Sequence, residues 1–236
     1  MADKQLESGS AAFLLIDDLY NDIRRNGLRK DDTRRLTAIV SDKRIKKLNF
    51  QSSKLDVDNP ATQELRDALL HRAISDPEVR RAVSLVIVNL PDGAFREASP
   101  LLDRALEVPA IARTGMTVKL AEQGPKAASR LTDFVESGFA TPRRVNGHAI
   151  GDWGRDAMGA IAGLCKLGMR ARNQLPRLKA IEARGFVPKI RHPRWQTLLV
   201  ALGDDPNRFN MPDNMNNSLD RYRQKLVRDA KNGCAR

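Results

Sequence analysis

The sequence predicts an all-α protein, and three observations support this prediction. Apolar residues recur at intervals of three and four along most of the 236-residue chain, as on the buried face of a helix. Start and stop signals divide this pattern into about ten segments of helical length. Some of these segments begin at a capping residue followed by proline, as at Asn59-Pro60 and Ser99-Pro100. We therefore expect short-to-medium helices in a multi-helix bundle or in HEAT-like stacked helix pairs.

Local signals place the first four helices. Asn59 and Pro60 supply a cap and a first turn, and residues 75–78 (Ser-Asp-Pro-Glu) form a capping box before an apolar run. The box favours a helix over the β-branched segment 83–90, for which a buried strand is the alternative. In chain order, the four are expected from about Phe13 to Gly27, from Asp32 to Lys47, from Pro60 to His71, and from Pro77 through the apolar run to Leu90.

The later helices mostly begin at proline or at a capping residue. They are expected from Ser99 to Glu107, Pro109 to Glu122, Pro125 to Glu136, Ala149 to Met169, Arg172 to Arg184, Pro193 to Leu202, and Ser218 to Lys231. The Ala149 to Met169 helix has one apolar stripe and a second face of small residues, Gly159, Ala160 and Gly163, against which a neighbouring backbone can pack closely.

A domain boundary is predicted between Ser137 and Gly147. Glycine, proline and polar residues coincide there with a jump in basic charge. This predicts an N-terminal helical region at 1–137, a linker at 138–147 and a basic C-terminal helical region at 148–236, or one continuous domain. A second loose stretch, residues 203–218, is rich in Asn, Asp and Pro.

One segment, SDPEVRRAVSLVIVNLPDGAFREASPLLDRAL, resembles a HEAT-type helical repeat. The likeness lies in its Asp-Pro-x-Val-Arg-Arg-Ala start and in two helices joined by Pro-Asp-Gly. The segment is short and no second copy follows at a fixed period. The resemblance implies helix pairs stacked side by side, and we transfer no functional residue from it.

Positive charge is concentrated in the second half of the chain. From Leu101 onward there are 24 Lys and Arg against 13 Asp and Glu, whereas residues 1–100 have 17 against 16. Between Arg143 and Arg194, twelve basic residues face only three acidic ones. Arginine dominates this stretch and forms forked hydrogen bonds with phosphate. Such a one-sided charge indicates that the partner is a polyanion or an acidic surface, and nucleic acid is the first hypothesis.

A second basic run lies at residues 43–47 (Lys-Arg-Ile-Lys-Lys). We predict that the two clusters contact phosphates through a basic helical groove, with little reading of base sequence. The predicted contacts are Arg143, Arg144, Arg155, Lys166, Arg170, Arg172, Arg177, Lys179, Arg184, Lys189, Arg191, Arg194, Lys43, Arg44, Lys46 and Lys47. Trp195 follows this cluster and is a stacking candidate for an unpaired base, although a core position beside Leu198 and Leu199 is favoured.

The sequence offers no catalytic, metal or cofactor site. Phosphate-loop and serine-hydrolase motifs are absent, and the paired carboxylates suit caps and solvent better than acid/base chemistry. His71, His148 and His192 have no second ligand at zinc spacing. We therefore expect a non-enzymatic protein with no cofactor.

The expected function is nucleic-acid binding, RNA before DNA, within an oligomeric nucleoprotein such as a nucleocapsid, coat or ribonucleoprotein. One alternative is a matrix or scaffold protein that binds an anionic membrane or a nucleoprotein. Another is a HEAT-like DNA-repair glycosylase, for which residues 152–156 are the only tempting cluster.

No signal peptide or membrane-spanning run is evident, so an intracellular, soluble protein is expected, either cytoplasmic or within a virion or nucleoprotein particle. Cys165 and Cys234 allow one bridge at most, and a reducing compartment would leave both as thiols. Self-association is expected through the Gly159 to Gly163 face, or through the apolar stripe of the last helix docking on another subunit.

Overall fold

The structure is a computed structural model that describes residues 57–234, apart from 59, 78–79, 98, 113, 141–142, 146–147, 151–154, 186, 188–191 and 212–217. The described residues are mostly helical, which confirms the predicted helical character. The two helices predicted between Phe13 and Lys47 lie outside the described residues. Two compact units are present, Met1–Met116 and Thr117–Arg236.

The helices and strands follow one another in this order: α1 Pro60–Ser75, α2 Arg80–Val88, α3 Pro100–Leu106, α4 Pro109–Ala112, a 3-10 segment Met116–Ala127, α5 Ala128–Ala140, β1 Arg143–Val145, β2 His148–Ile150, α6 Arg155–Leu167, a 3-10 segment Gly168–Gln174, α7 Leu175–Ala183, α8 His192–Ala201, a 3-10 turn Pro206–Arg208 and α9 Leu219–Lys231.

The β-branched segment is helical as far as Val88, as predicted, but Ser75, the expected capping residue, is the last residue of α1, and α2 begins only at Arg80. The Val83 and Ile87 side chains of α2 are fully buried. Arg80, at the start of α2, donates hydrogen bonds to the carbonyls of Ala73 and Ile74 at 2.9 Å each. Because the last carbonyls of a helix have no partner within it, Arg80 caps α1 as α2 begins.

The HEAT-like segment corresponds to α2 and α3, and α1 packs on both. The predicted cap of α3 is confirmed, since the Ser99 hydroxyl accepts a hydrogen bond from the Leu102 amide at 3.3 Å. Leu102, Phe95 and Leu69 are fully buried in the core of the first unit. Helix packing around α1 therefore builds this unit.

Gly115 interrupts the helix that was predicted from Pro109 to Glu122, and Gly124 lies in the gap between that helix and the one predicted from Pro125 to Glu136. Gly115 has a φ of 92° and Gly124 a φ of 78°, both in the left-handed region that interrupts a helix. Pro125 follows Gly124 inside the 3-10 segment, where its ring prevents a regular α-helix. The chain consequently forms the short helix α4, a kinked 3-10 segment and then α5.

A small antiparallel hairpin lies where a loop and a helix start were predicted. Arg143 pairs with Ile150 and Val145 with His148. Asn146 and Gly147 stand between these strands in the sequence, and Asn-Gly is a strong sequence signal for a hairpin. The predicted Ala149 to Met169 helix is therefore α6, which begins only at Arg155.

The small residues of α6 are packed within the chain. A Cβ added at Gly163 would lie 2.9 Å from a methyl carbon of Leu131, and one added at Gly138 would lie 2.5 Å from the Ala157 Cβ. Leu131 and Gly138 belong to α5, so α5 covers the glycine face of α6. This face was predicted as a self-association surface, and the structure gives it a partner within the same chain.

The last helix also packs on its own chain. The Tyr222 and Leu226 side chains are each 2% exposed. The Tyr222 hydroxyl donates a hydrogen bond to the side-chain Oε1 of Gln196 at 2.6 Å. Since Gln196 lies on α8, α9 closes over the second unit. The prediction that its apolar stripe docks on another subunit is therefore corrected.

The predicted linker at 138–147 lies inside the second unit. That unit begins at Thr117, and its helices α5 and α6, on either side of the predicted linker, pack against each other. The Thr117 hydroxyl adds a hydrogen bond to the Asp156 carbonyl at 2.7 Å. Composition and charge change at residues 138–147, but the helices before and after this stretch belong to one packed unit.

Candidate nucleic-acid interface

The predicted basic residues fall into groups with different surroundings. Some form ion pairs inside the second unit, and others line a cleft. The backbones of Arg143, Arg144 and Arg155 are placed at β1 and at the start of α6. Outside the described residues lie Lys43, Arg44, Lys46, Lys47, Lys189 and Arg191.

Arg177 and Arg184 on α7 pair with Glu136 on α5. The Glu136 carboxylate accepts hydrogen bonds from Arg177 at 2.6 and 3.2 Å and from Arg184 at 2.7 Å. Arg177 also lies 2.7 Å from Asp133. The hydrogen bond from Arg184, followed by that from Arg177, holds the pKa of Glu136 below its ordinary value. Both arginines link α7 to α5. The carboxylates of Glu136 and Asp133 compensate much of their positive charge.

Lys179 is compensated in a similar way by Asp204. Its ammonium lies 2.6 Å from the Asp204 carboxylate, whose side chain is 5% exposed. Arg208 also pairs with Asp204 and lies 2.6 Å from Glu182 on α7. A buried carboxylate needs such partners to offset its lost hydration. We therefore assign Lys179 to the internal structure of the unit rather than to phosphate binding.

Trp195 offers no stacking surface. Its side chain is fully buried on α8 with Leu198 and Leu199. The core position that was favoured for Trp195 is confirmed. The alternative prediction, that it stacks on an unpaired base, is wrong, because a base can stack only on an exposed ring face. Arg194, one residue earlier, is exposed on the same helix.

Lys166 and Arg170 line a cleft where three helices end. We call it the terminal cleft; it has a volume of about 500 Å³ and lies between the C-terminal ends of α6, α8 and α9. Lys231 of α9 is its third cation. The Arg170 guanidinium donates to the carbonyls of Leu167 at 3.3 Å and Lys166 at 3.4 Å. These acceptors are neutral, so Arg170 keeps its net charge.

A second depression, the outer groove, adjoins the terminal cleft and shares Val227 and Lys231 with it. It has a volume of about 510 Å³ and is lined by residues of α9 and of the Pro206–Arg208 turn, including Arg223, Arg228 and Lys231. Arg223 donates to the carbonyls of Asn207 at 2.6 Å and Phe209 at 3.3 Å. No Asp or Glu is among the described residues that line either depression.

Sequence reasoning missed the cations of α9 in this interface. Arg223, Arg228 and Lys231 lie outside the densest basic stretch, and α9 also carries the acidic residues Asp220 and Asp229. In the structure Asp229 lies 2.6 Å from Lys225 and 3.5 Å from Arg228, and it lines neither depression. The available signal was helical spacing, because residues 223, 227 and 231 share one face.

Arg172 lies close to the terminal cleft without lining it. It is exposed, and a Cβ added at Gly203 would lie 3.5 Å from its Nε and 3.0 Å from the sulfur of Met169, which does line the cleft. The structure therefore brings three of the predicted cations, Lys166, Arg170 and Arg172, to this end of the second unit.

The residues of the other chemical hypotheses have structural roles where they are described. Cys165 and Cys234 form a disulfide across a sequence separation of 69 residues, in place of the two expected thiols. Asp156 lies in the first turn of α6, where its carboxylate accepts a hydrogen bond from the Ala157 amide at 3.1 Å, while Asp152 and Trp153 lie outside the described residues. Over the described part of the chain, no three His, Cys, Asp or Glu side chains are grouped to hold a metal ion.

None of the described helices is both long enough and apolar enough to cross a membrane. No protein-family model, curated protein or solved structure matches the chain. Function is therefore inferred from the chemistry of the interface itself.

Proposed function

We propose that the chain binds nucleic acid through phosphate contacts made by the terminal cleft and the outer groove. One observation carries this proposal: five cations, Lys166, Arg170, Arg223, Arg228 and Lys231, line two adjoining depressions whose described linings hold no carboxylate. A nucleic-acid strand presents one phosphate at every nucleotide, and Lys and Arg side chains bind these phosphates.

The charge of the second unit favours a polyanion over a single small anion. Residues 117–236 contain 22 Lys and Arg against 11 Asp and Glu, which gives +11 of the chain's net charge of +12. The positive charges of four of these residues are compensated by carboxylates within the unit; these residues are Arg177, Lys179, Arg184 and Arg208. Helix α9 alone carries five Lys and Arg against two Asp, so positive charge extends along it and favours a ligand with charges spaced over a similar length.

The helix ends at the terminal cleft oppose anion binding, but they are the weaker effect. Each helix C-terminus carries roughly −0.5 elementary charge, so the three that meet here contribute about −1.5. Lys166, Arg170 and Lys231 contribute three full positive charges. The cleft is therefore still cationic, and it suits phosphate.

Contacts of this kind carry little sequence information, because phosphates are the same at every nucleotide. We propose RNA before DNA as the partner, and a nucleoprotein subunit as the biological setting. Self-association remains part of the proposal, but it requires a surface other than the glycine face of α6 and the apolar stripe of α9. Light scattering with and without bound nucleic acid measures it.

The experiment that tests the proposal compares two triple variants with the same loss of charge. The cleft variant carries Lys166→Gln, Arg170→Gln and Lys231→Gln, and the paired variant carries Arg177→Gln, Lys179→Gln and Arg184→Gln. Affinity for a labelled oligonucleotide of mixed sequence is measured by fluorescence anisotropy. We expect the cleft variant to lose about tenfold or more in affinity, and the paired variant to lose less, because its cations already have carboxylate partners.

Anionic vesicles provide the control for the alternative partner. Equal losses in the two variants would mean that only net charge matters and would overturn the assignment to the cleft. Binding to vesicles rich in anionic lipid, with no binding to the oligonucleotide, would replace the proposal with the membrane-binding alternative.

A further inference from the structure

The terminal cleft combines its cations with an apolar floor. Met169, Val200, Val227 and Ala230 line it together with Lys166, Arg170 and Lys231. Met169 is 56% exposed and is one of the few large apolar side chains on the surface of the described residues. A site for inorganic phosphate alone gains nothing from such a floor, which indicates a ligand with both an anionic and an apolar part.

Two glycines position this floor. Gly203, with a φ of 97°, comes so close to Met169 that an added Cβ would lie 3.0 Å from its sulfur and 3.2 Å from its methyl carbon. Gly168, with a φ of 54°, lines the cleft and adds no side chain to fill it. The backbone at both positions thus holds Met169 at the cleft while leaving the space beside it open.

The size and chemistry of the cleft fit a single nucleotide. Its volume of about 500 Å³ lies within the range of small-ligand sites, roughly 300–1,000 Å³. Methionine adapts to irregular apolar partners, and its sulfur makes favourable contacts with aromatic rings. We infer that the terminal cleft receives one unpaired base of a single-stranded nucleic acid, with the flanking phosphates on Lys166, Arg170 and Lys231.

This inference rests on the proposed function and adds strand selectivity to it. In a duplex, the base faces are stacked and their edges are paired, so Met169 gains no contact unless a base is extruded. A single strand can turn one base into the cleft at lower cost while keeping its phosphates on the cations. The protein should therefore prefer single strands over duplexes of equal phosphate number.

The disulfide gives the cleft a fixed wall. Cys165 of α6 lines the cleft, and so does Gly233, which precedes Cys234. The bond therefore fastens the chain beyond α9 to α6 at the cleft. A site that is held open before binding loses less conformational entropy when its ligand arrives.

The test uses variants that leave every charge in place. Met169→Ser removes the apolar floor, Met169→Leu restores it, and Leu219→Ser is the matched control, since Leu219 is 37% exposed on α9 and lines neither depression. The probes are a labelled single-stranded oligonucleotide of about twelve residues and a duplex with the same number of phosphates. Melting temperatures confirm that all three variants are folded.

We expect Met169→Ser to weaken single-strand binding by about fivefold while changing duplex binding by less than about twofold. Met169→Leu should retain wild-type affinity, and Leu219→Ser should change neither. If Met169→Ser leaves single-strand binding unchanged, or weakens both probes equally, the inference is wrong while salt-sensitive binding still supports the proposed function. If neither probe binds in a salt-dependent way, the proposed function fails with it.

Discussion

The Arg177 guanidinium donates two hydrogen bonds to one carboxylate oxygen of Glu136, at 2.6 and 3.2 Å, across 41 positions of sequence. Arg184 holds the other oxygen of the same carboxylate at 2.7 Å. Within the most basic stretch of the chain, two of the arginines expected to bind phosphate therefore connect α7 to α5. The ion pairs with Glu136 therefore distinguish these structural arginines from the cations that line the terminal cleft and the outer groove.

Glu136→Gln should destabilise the protein at neutral pH and have less effect in acid. Hydrogen bonds from Arg184, and then Arg177, lower the pKa of Glu136 from 4.5, so the carboxylate stabilises the fold above that value. This contribution is lost as the pH falls through the lower pKa of the folded state. Thermal melts at a series of pH values measure the effect.

The control for that series is Glu64→Gln, at an exposed position of α1. Its melting temperature should follow the wild type at every pH. A constant difference between Glu136→Gln and the wild type down to the most acidic stable condition would contradict the assigned ion pairs.

Sequence patterns predicted most of the helices and failed where glycine or a turn intervened. Ser99-Pro100 and Ser218 mark the starts of α3 and α9 as expected, since a cap needs only neighbouring residues. Apolar spacing alone extended the Pro109 to Glu122 helix past Gly115, where the backbone leaves the helical region, whereas the break at Gly124 falls between two predicted helices. The hairpin was missed because the Asn146-Gly147 signal was assigned to a loop.

The candidate site could be predicted only in part, because net charge does not show which cations are compensated. Lys166 and Arg170 were identified from charge density, and they do line the terminal cleft. Lys179 was identified by the same rule, yet it pairs with Asp204, 25 positions away. Such pairings depend on tertiary packing, and so does the burial of Trp195, whose sequence position suited both stacking and core packing.

Tyr222→Phe should lower the free energy of unfolding by about 1 kcal/mol, because the buried Gln196 side chain loses its hydrogen-bond donor. Burial also raises the pKa of Tyr222 to about 12, from 10.0. The stability linked to the neutral phenol is present below pH 10 and is lost as the pH rises through 12.

Chemical denaturation at neutral pH measures the first effect, and ultraviolet difference spectra in alkali measure the second. Because the chain has only two tyrosines, the Tyr222→Phe spectrum isolates the remaining phenol, Tyr20. An unchanged unfolding midpoint would refute the hydrogen bond to Gln196, and a Tyr222 phenol that ionises at the same pH in folded and unfolded protein would refute its burial.

Reduction of the disulfide should destabilise the second unit. The bond closes a loop of 69 residues, for which loop-closure entropy predicts a loss of up to roughly 4 kcal/mol. Denaturant unfolding with and without a dithiol measures the loss, and Cys234→Ser should reproduce it without reductant. Two titratable thiols per chain in the native, non-reduced protein would show that the bond is absent.

The salt dependence of oligonucleotide binding tests the central claim most directly. Each phosphate neutralised by the protein contributes roughly −0.7 to the slope of log affinity against log salt for a single strand. Loss of Lys166, Arg170 and Lys231 should therefore make the slope shallower by about 2 relative to the wild type. A wild-type slope near zero, or equal slopes for the wild type and the triple variant, would contradict phosphate binding at the terminal cleft.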